Sequence, residues 1–119
     1  MTTTTTENWI TVCHELDLVK NSGVCALVNE QQVALFKLTS ANDGQIYAIS
    51  NWDPIGKANV LYRGLLGSIK DKPVVASPLY KQRYCLSTGQ CMDEEGKNVE
   101  VYPCRIVDQQ VQLQFAAAS

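Results

Sequence analysis

The chain has 119 residues, 45% of them hydrophobic, with ten Lys plus Arg against twelve Asp plus Glu. That length suits one domain with one core, burying roughly two-thirds of its extended-chain surface. The near-balanced, slightly acidic charge speaks against a nucleic-acid footprint, which needs a basic stripe, and no apolar run reaches membrane-spanning length.

Met1 and Thr2 to Thr6 carry neither a basic flank nor an apolar core. Residues 1–7 are therefore read as a disordered tail rather than a signal peptide, and the location as cytoplasmic. A single β domain is expected over 8–115, with 116–119 frayed. Asn8 to Cys13 is β-branched and aromatic, a first strand, and Glu15 to Leu18 suits one helical turn. Val24–Val28 and Val33–Leu38 are strands joined by a polar hairpin over Asn29 to Gln32. Asn42-Asp43-Gly44 is a tight-turn signal, because Asp-Gly supplies the positive φ that a two-residue turn requires. Gln45 to Ser50 returns from it.

After the segment Ser50-Asn51-Trp52-Asp53-Pro54-Ile55-Gly56, two glycines, Gly64 and Gly67, bracket a short apolar strand. A charged turn, Ile69 to Pro73, leads into Val74–Ala76. A second Pro-bearing loop follows, Ser77-Pro78-Leu79-Tyr80-Lys81, and Gln82 to Leu86 returns to a Thr88-Gly89 turn. Asp93 to Asn98 is a solvated turn, and Val99–Tyr102 and Arg105–Val107 flank Pro103-Cys104. Gln110 to Phe115 alternates polar and apolar, a strand with one wet face. Short strands at regular intervals, without a long helical period, predict an all-β domain: stacked antiparallel sheets built from hairpins.

Five cysteines, an odd number with no Cys-x-x-Cys pair, suit buried thiols in a reducing compartment. Cys85 and Cys91 flank Thr88-Gly89, so a disulfide across that turn is the alternative, disfavoured under reduction. His14 adjoins Cys13, and strand neighbours point to opposite faces, so the two make a poor metal pair. Ser77 has no histidine within loop reach, so no Ser-His-Asp arrangement is supported.

The order of these features resembles Rieske iron–sulfur domains, in which two hairpin tips each carry a Cys and a His. Two thiolates there hold one iron and two imidazoles the other. The two prolines, their spacing, Arg83-Tyr84, Thr88-Gly89 and the upstream Asp43 to Ile49 stand where that pattern puts them. The resemblance runs from about Trp9 to Phe115. The ligand positions are filled by Asp53 and Ile55 in the first loop, Ser77 and Tyr80 in the second. Isoleucine has no lone pair and the two hydroxyls are protonated near neutral pH, so the resemblance implies a scaffold without its cluster.

Within that group, Asn51-x-Asp53-Pro54 and Ala58 to Gly64 are similar to the small subunits of assimilatory NAD(P)H-dependent nitrite reductases. That resemblance implies a non-catalytic partner of a large subunit that carries FAD, a [4Fe–4S] cluster and sirohaem and reduces nitrite to ammonium. No metal or cofactor is expected on this chain. Bulky Trp52, Ile55, Leu79 and Tyr80 either close the gap left by a cluster, with Tyr80 or Ser77 hydrogen-bonded to Asp53, or remain outward. Outward, Trp52, Ile55, Leu79, Tyr80 and Lys81 are the candidate docking residues, with Lys57 and Arg63 as a basic rim. Two other classes stay open: a Rieske-type electron carrier holding iron through Asp53, Tyr80 and a cysteine, and a small barrel that stacks single-stranded nucleic acid.

Overall fold

The computed structural model describes residues 9–39 and 44–114. Twelve strands and two short 3-10 turns make up the described chain, and every paired ladder between strands is antiparallel. The Asn42-Asp43 part of the expected tight turn and Phe115 lie outside the described residues.

The centre is a four-stranded sheet in the order β10-β4-β3-β2, built from β2 (Ser22–Val28), β3 (Gln31–Thr39), β4 (Gly44–Ser50) and β10 (Val101–Tyr102). Val33, Ala34, Leu35 and Phe36 of β3 are all buried, although alternate residues face opposite sides of a strand. Both faces are covered, which is why this strand reads as a continuous apolar run rather than an alternating one. Val33 and Leu35 join Ala48, Val111 and Leu113 in one core. That core faces the sheet β1-β12-β11, formed by β1 (Trp9–His14), β12 (Gln110–Gln114) and β11 (Cys104–Val107). Ala34 and Phe36 join Ile49, Leu61, Val75, Tyr84 and Leu86 in a second core. It faces the sheet β7-β8-β9, formed by β7 (Leu65–Ile69), β8 (Lys72–Ala76) and β9 (Arg83–Cys85). Each fully buried large apolar side chain contributes about 1.5–3 kcal/mol. A small two-stranded ribbon, β5 (Trp52–Asp53) with β6 (Ala58–Asn59), completes the set.

Three hairpins turn on two residues that both have positive φ: Asn29-Glu30, Lys70-Asp71 and Asp108-Gln109. This is the primed-turn geometry that matches strand twist, and Asn or Asp supplies one member each time. The polar hairpin is thus narrower than expected, since Gln31 and Gln32 already belong to β3. The Val99–Tyr102 strand is likewise shorter, confined to Val101–Tyr102. Among the described residues helix is limited to Glu15–Asp17, capped by His14 Nδ1 accepting the Leu16 N–H at 3.0 Å, and Leu61–Arg63. The lone histidine is therefore a satisfied surface cap. Cys85 and Cys91 are buried free thiols, with no disulfide across the Thr88-Gly89 turn. No helix among the described residues is long and apolar enough to cross a membrane.

Candidate functional site

The two Pro loops have the same construction. Each begins with a residue whose carbonyl accepts the N–H of the residue four positions later: Lys57 N–H to Asp53 O at 2.6 Å, and Lys81 N–H to Ser77 O at 3.0 Å. Each ends on that lysine, held at φ 58 and 63 respectively, a left-handed conformation that a non-glycine residue takes at some cost. Proline stands second in both, where its fixed φ pre-sets the turn. The first side chain of each loop then folds back on its own backbone. Asp53 Oδ1 accepts the Ile55 and Gly56 N–H groups at 2.9 and 3.1 Å, and Ser77 Oγ accepts the Leu79 N–H at 3.2 Å.

The two first residues also meet. Ser77 Oγ donates to Asp53 Oδ2 at 2.5 Å, closing one loop against the other. Gln82 Nε2 and the Tyr84 hydroxyl donate to Asp53 Oδ1 at 2.7 and 2.9 Å, and Gln82 also donates to the Tyr84 oxygen at 3.1 Å. Asp53 and Tyr84 are 0% exposed. Burial by itself raises the Asp53 pKa. The Ser77 hydroxyl, Gly56 N–H, Tyr84 hydroxyl and Ile55 N–H together outweigh that and hold the carboxyl below its ordinary value. For Tyr84, burial and the hydrogen bond to Asp53 push the phenol well up, against the opposing bond from Gln82. The tip is an anion hole occupied by its own carboxylate.

Asn51 fixes the first loop to the central sheet. Its Nδ2 donates to Gln32 Oε1 at 3.1 Å, its Oδ1 accepts the Tyr62 N–H at 2.7 Å, and its backbone N–H donates to Gln32 O at 3.0 Å. The second loop is braced from the far side by Arg83, whose Nη2 and Nε donate to the two oxygens of Asp93 at 2.6 and 3.1 Å. The structure thus places Asp53 and Ser77 inside the network, with Ile55 half-buried against the core. Tyr80 takes no part in it: its side chain is 69% exposed, so the Asp53 bond is made by Ser77 alone of the two candidates. Trp52 and Leu79 are each 45% exposed, and Lys57, Lys81 and Arg63 are exposed. Leu79 does both jobs, since its Cδ1 packs against Gly56 of the first loop, where an added Cβ would lie 2.5 Å from it, while nearly half of the residue stays exposed. Gln82 was missed in the sequence. The available signal was its place two residues before Tyr84, a spacing that puts side chains on one side of an extended chain, although β9 itself starts only at Arg83.

The class of fold is now defined: a three-layer stack of hairpins presenting two Pro loops side by side. The family described as "Rieske-like [2Fe-2S] domain" matches residues 8–114. The nitrite reductase (NADH) small subunit of Escherichia coli K12 is 43% identical over 105 residues, 88% of this chain and 95% of that one. The solved structure of the E. coli protein NirD superposes with a TM-score of 0.83 at 40% identity, covering 94% of this chain and all of that one. The chain belongs to this family of nitrite reductase small subunits, within the Rieske-like group. A further relative is the nitrite reductase [NAD(P)H] large subunit of Klebsiella oxytoca. It is 39% identical over 99 residues, which are 82% of this chain and 10% of that one.

The family's [2Fe–2S] cluster needs thiolate and imidazole donors. The residues at this tip do not fit it. Asp53 is the one side chain in the network with metal-binding character, and both its oxygens are committed to donors within the protein. Among the described residues no group of three or more His, Cys, Asp or Glu is placed to share a metal.

Proposed function

We infer that the chain is the non-catalytic small subunit of an NAD(P)H-dependent nitrite reductase, and that it docks on the large subunit through its two loop tips. The reduction of nitrite to ammonium, and the FAD, [4Fe–4S] cluster and sirohaem that perform it, belong on this reading to the large subunit. The small subunit orients or orders that partner, in the cytoplasm. Support for the pairing comes from the near full-length identity to the E. coli small subunit and from the equivalent stretch within a Klebsiella large subunit. The observation that carries the docking surface is the division of labour at the tip. Asp53, Ser77, Gln82 and Tyr84 seal it inward, leaving Trp52, Leu79 and Tyr80 exposed as an aromatic and aliphatic group beside Lys57 and Lys81. Trp52, Leu79 and Tyr80 leave much of their surface outside this sealed polar centre, and large side chains of this kind dominate interface energies. Asp53, Ile55, Ser77 and Tyr80 are, on this reading, the positions where the ligands of a cluster once stood.

The test is the affinity of the chain for purified large subunit. Trp52→Ala combined with Leu79→Ala should weaken binding at least ~10-fold, the loss of a central anchor, and lower NADH-dependent nitrite reduction at limiting small subunit. Undiminished binding would move the interface away from the tip. Iron analysis and a visible spectrum of anaerobically purified protein should give no cluster. Two irons per chain would restore the electron-carrier reading.

A further inference from the structure

Beside Trp52 the structure has a cavity of about 300 Å³, separate from the Asp53 network. It is assembled from distant stretches: the Asn29-Glu30 turn and the start of β3, the end of β4 with Trp52, Asn59 of β6, and Glu100 with Tyr102 of β10. Two aromatic side chains, Trp52 and Tyr102, and two carboxylates, Glu30 and Glu100, line it. Gln31 and Ser50 supply further oxygen atoms, and no lysine or arginine lines it. The tyrosine hydroxyl donates to Gln31 Oε1 at 3.3 Å, and Ser50 N–H donates to the Glu100 carbonyl at 2.8 Å, so the walls are tied together by bonds that leave both carboxylate groups exposed. Burial, and then the Glu100 carboxylate, push the Tyr102 phenol above its ordinary value.

We propose that this cavity is a socket for an arginine side chain of the large subunit. The proposal rests on the docking reading above and extends it, since Trp52 belongs to both the exposed tip and the socket wall. Charge selects a cation: two carboxylates from different elements face one recess with no opposing base. Shape and chemistry select arginine over lysine, because a planar guanidinium stacks on aromatic faces while its N–H groups reach acceptors at its edge. The result is a surface of two signs, with exposed Lys57 and Lys81 at the loop ends and a recess that Glu30 and Glu100 line together with Trp52. Such a pattern fixes the register of docking, which an apolar patch alone does not.

The experiment measures binding of the full chain to purified large subunit at low and high salt, for wild type, Glu30→Gln with Glu100→Gln, and Leu79→Asp. Both glutamates are exposed and in no ion pair among the described residues, so the double variant should melt with wild type. The socket predicts at least ~10-fold weaker binding by the double glutamine variant and a shallower dependence of affinity on salt. Wild-type binding by that variant, with Leu79→Asp impaired, overturns the socket and leaves tip docking standing. Weakened binding with the full salt dependence retained also overturns it, since packing rather than charge would then be lost. Wild-type binding by both variants removes the socket and the tip interface together.

Discussion

Replacing Asp53 with alanine should lower the stability of the domain by about 3 kcal/mol or more. The magnitude follows from the donors left behind. Two backbone N–H groups, the Ser77 hydroxyl, the Gln82 amide and the Tyr84 phenol all converge on this carboxylate. Each buried donor that loses its acceptor costs about 1–3 kcal/mol, and water entering beside the half-exposed Leu79 recovers part of the sum. Asp53→Asn should cost less. Its Oδ1 still accepts, and the Ser77 hydroxyl can turn to receive the new N–H.

The same pair of variants isolates the effect of acid. Because hydrogen bonds hold the folded-state pKa of Asp53 below its unfolded value, the carboxylate stabilises the fold fully above the ordinary value of 3.8. That contribution is lost as pH falls through the depressed value. Asp93, lowered by Arg83, titrates in the same direction and is common to wild type and variant. The stability difference between wild type and Asp53→Asn, from urea unfolding, should therefore shrink between pH 7 and pH 3. A difference independent of pH would mean that the fold leaves the pKa of Asp53 at its unfolded value, and a difference that grows toward acid would mean that Asp53 is protonated in the folded protein.

A second large effect is expected at Gly89, where the Thr-Gly turn ends β9. Its φ is +80, and an added Cβ would lie 2.0 Å from the Val99 carbonyl oxygen. Gly89 N–H donates to Cys85 O at 2.7 Å, and Val99 N–H donates to Gly89 O at 2.8 Å, so the backbone on either side is pinned and cannot withdraw. Gly89→Ala should cost about 2–4 kcal/mol, combining the left-handed penalty with overpacking against backbone. Gly96 is the control. It has φ +87 with nothing within 4 Å of an added Cβ, so Gly96→Ala should cost only the conformational part, about 1–2 kcal/mol. Equal losses in thermal unfolding at both positions would show that the contact with Val99 is immaterial. The Gly89 turn also matters for the tip, because it closes the strand that carries Tyr84 into the Asp53 network.

The strands, the two Pro loops and their lack of soft ligands were legible residue by residue. Local backbone preference, turn chemistry and donor type are properties of neighbouring side chains, and neighbours are what a sequence prints. For Asp53 the sequence offered Tyr80 or Ser77 as a partner, and only the structure chose Ser77. Val33–Leu38 was legible as a strand, but not that Val33 to Phe36 serve two cores at once. The sequence said nothing of Gln82, whose role depends on its amide reaching Asp53 of the other loop.

What one dimension contained was the exchange of metal-binding atoms for hydroxyl, carboxylate and hydrocarbon at the two tips, together with the turns that shape them. Three dimensions decided that Asp53 is buried yet ionised, that Tyr80 stays outside, and that Glu30, Trp52, Glu100 and Tyr102 share one recess. Burial and hydrogen bonding come from segments as far as 71 residues apart, brought together only when the chain folds. No local rule carries that information.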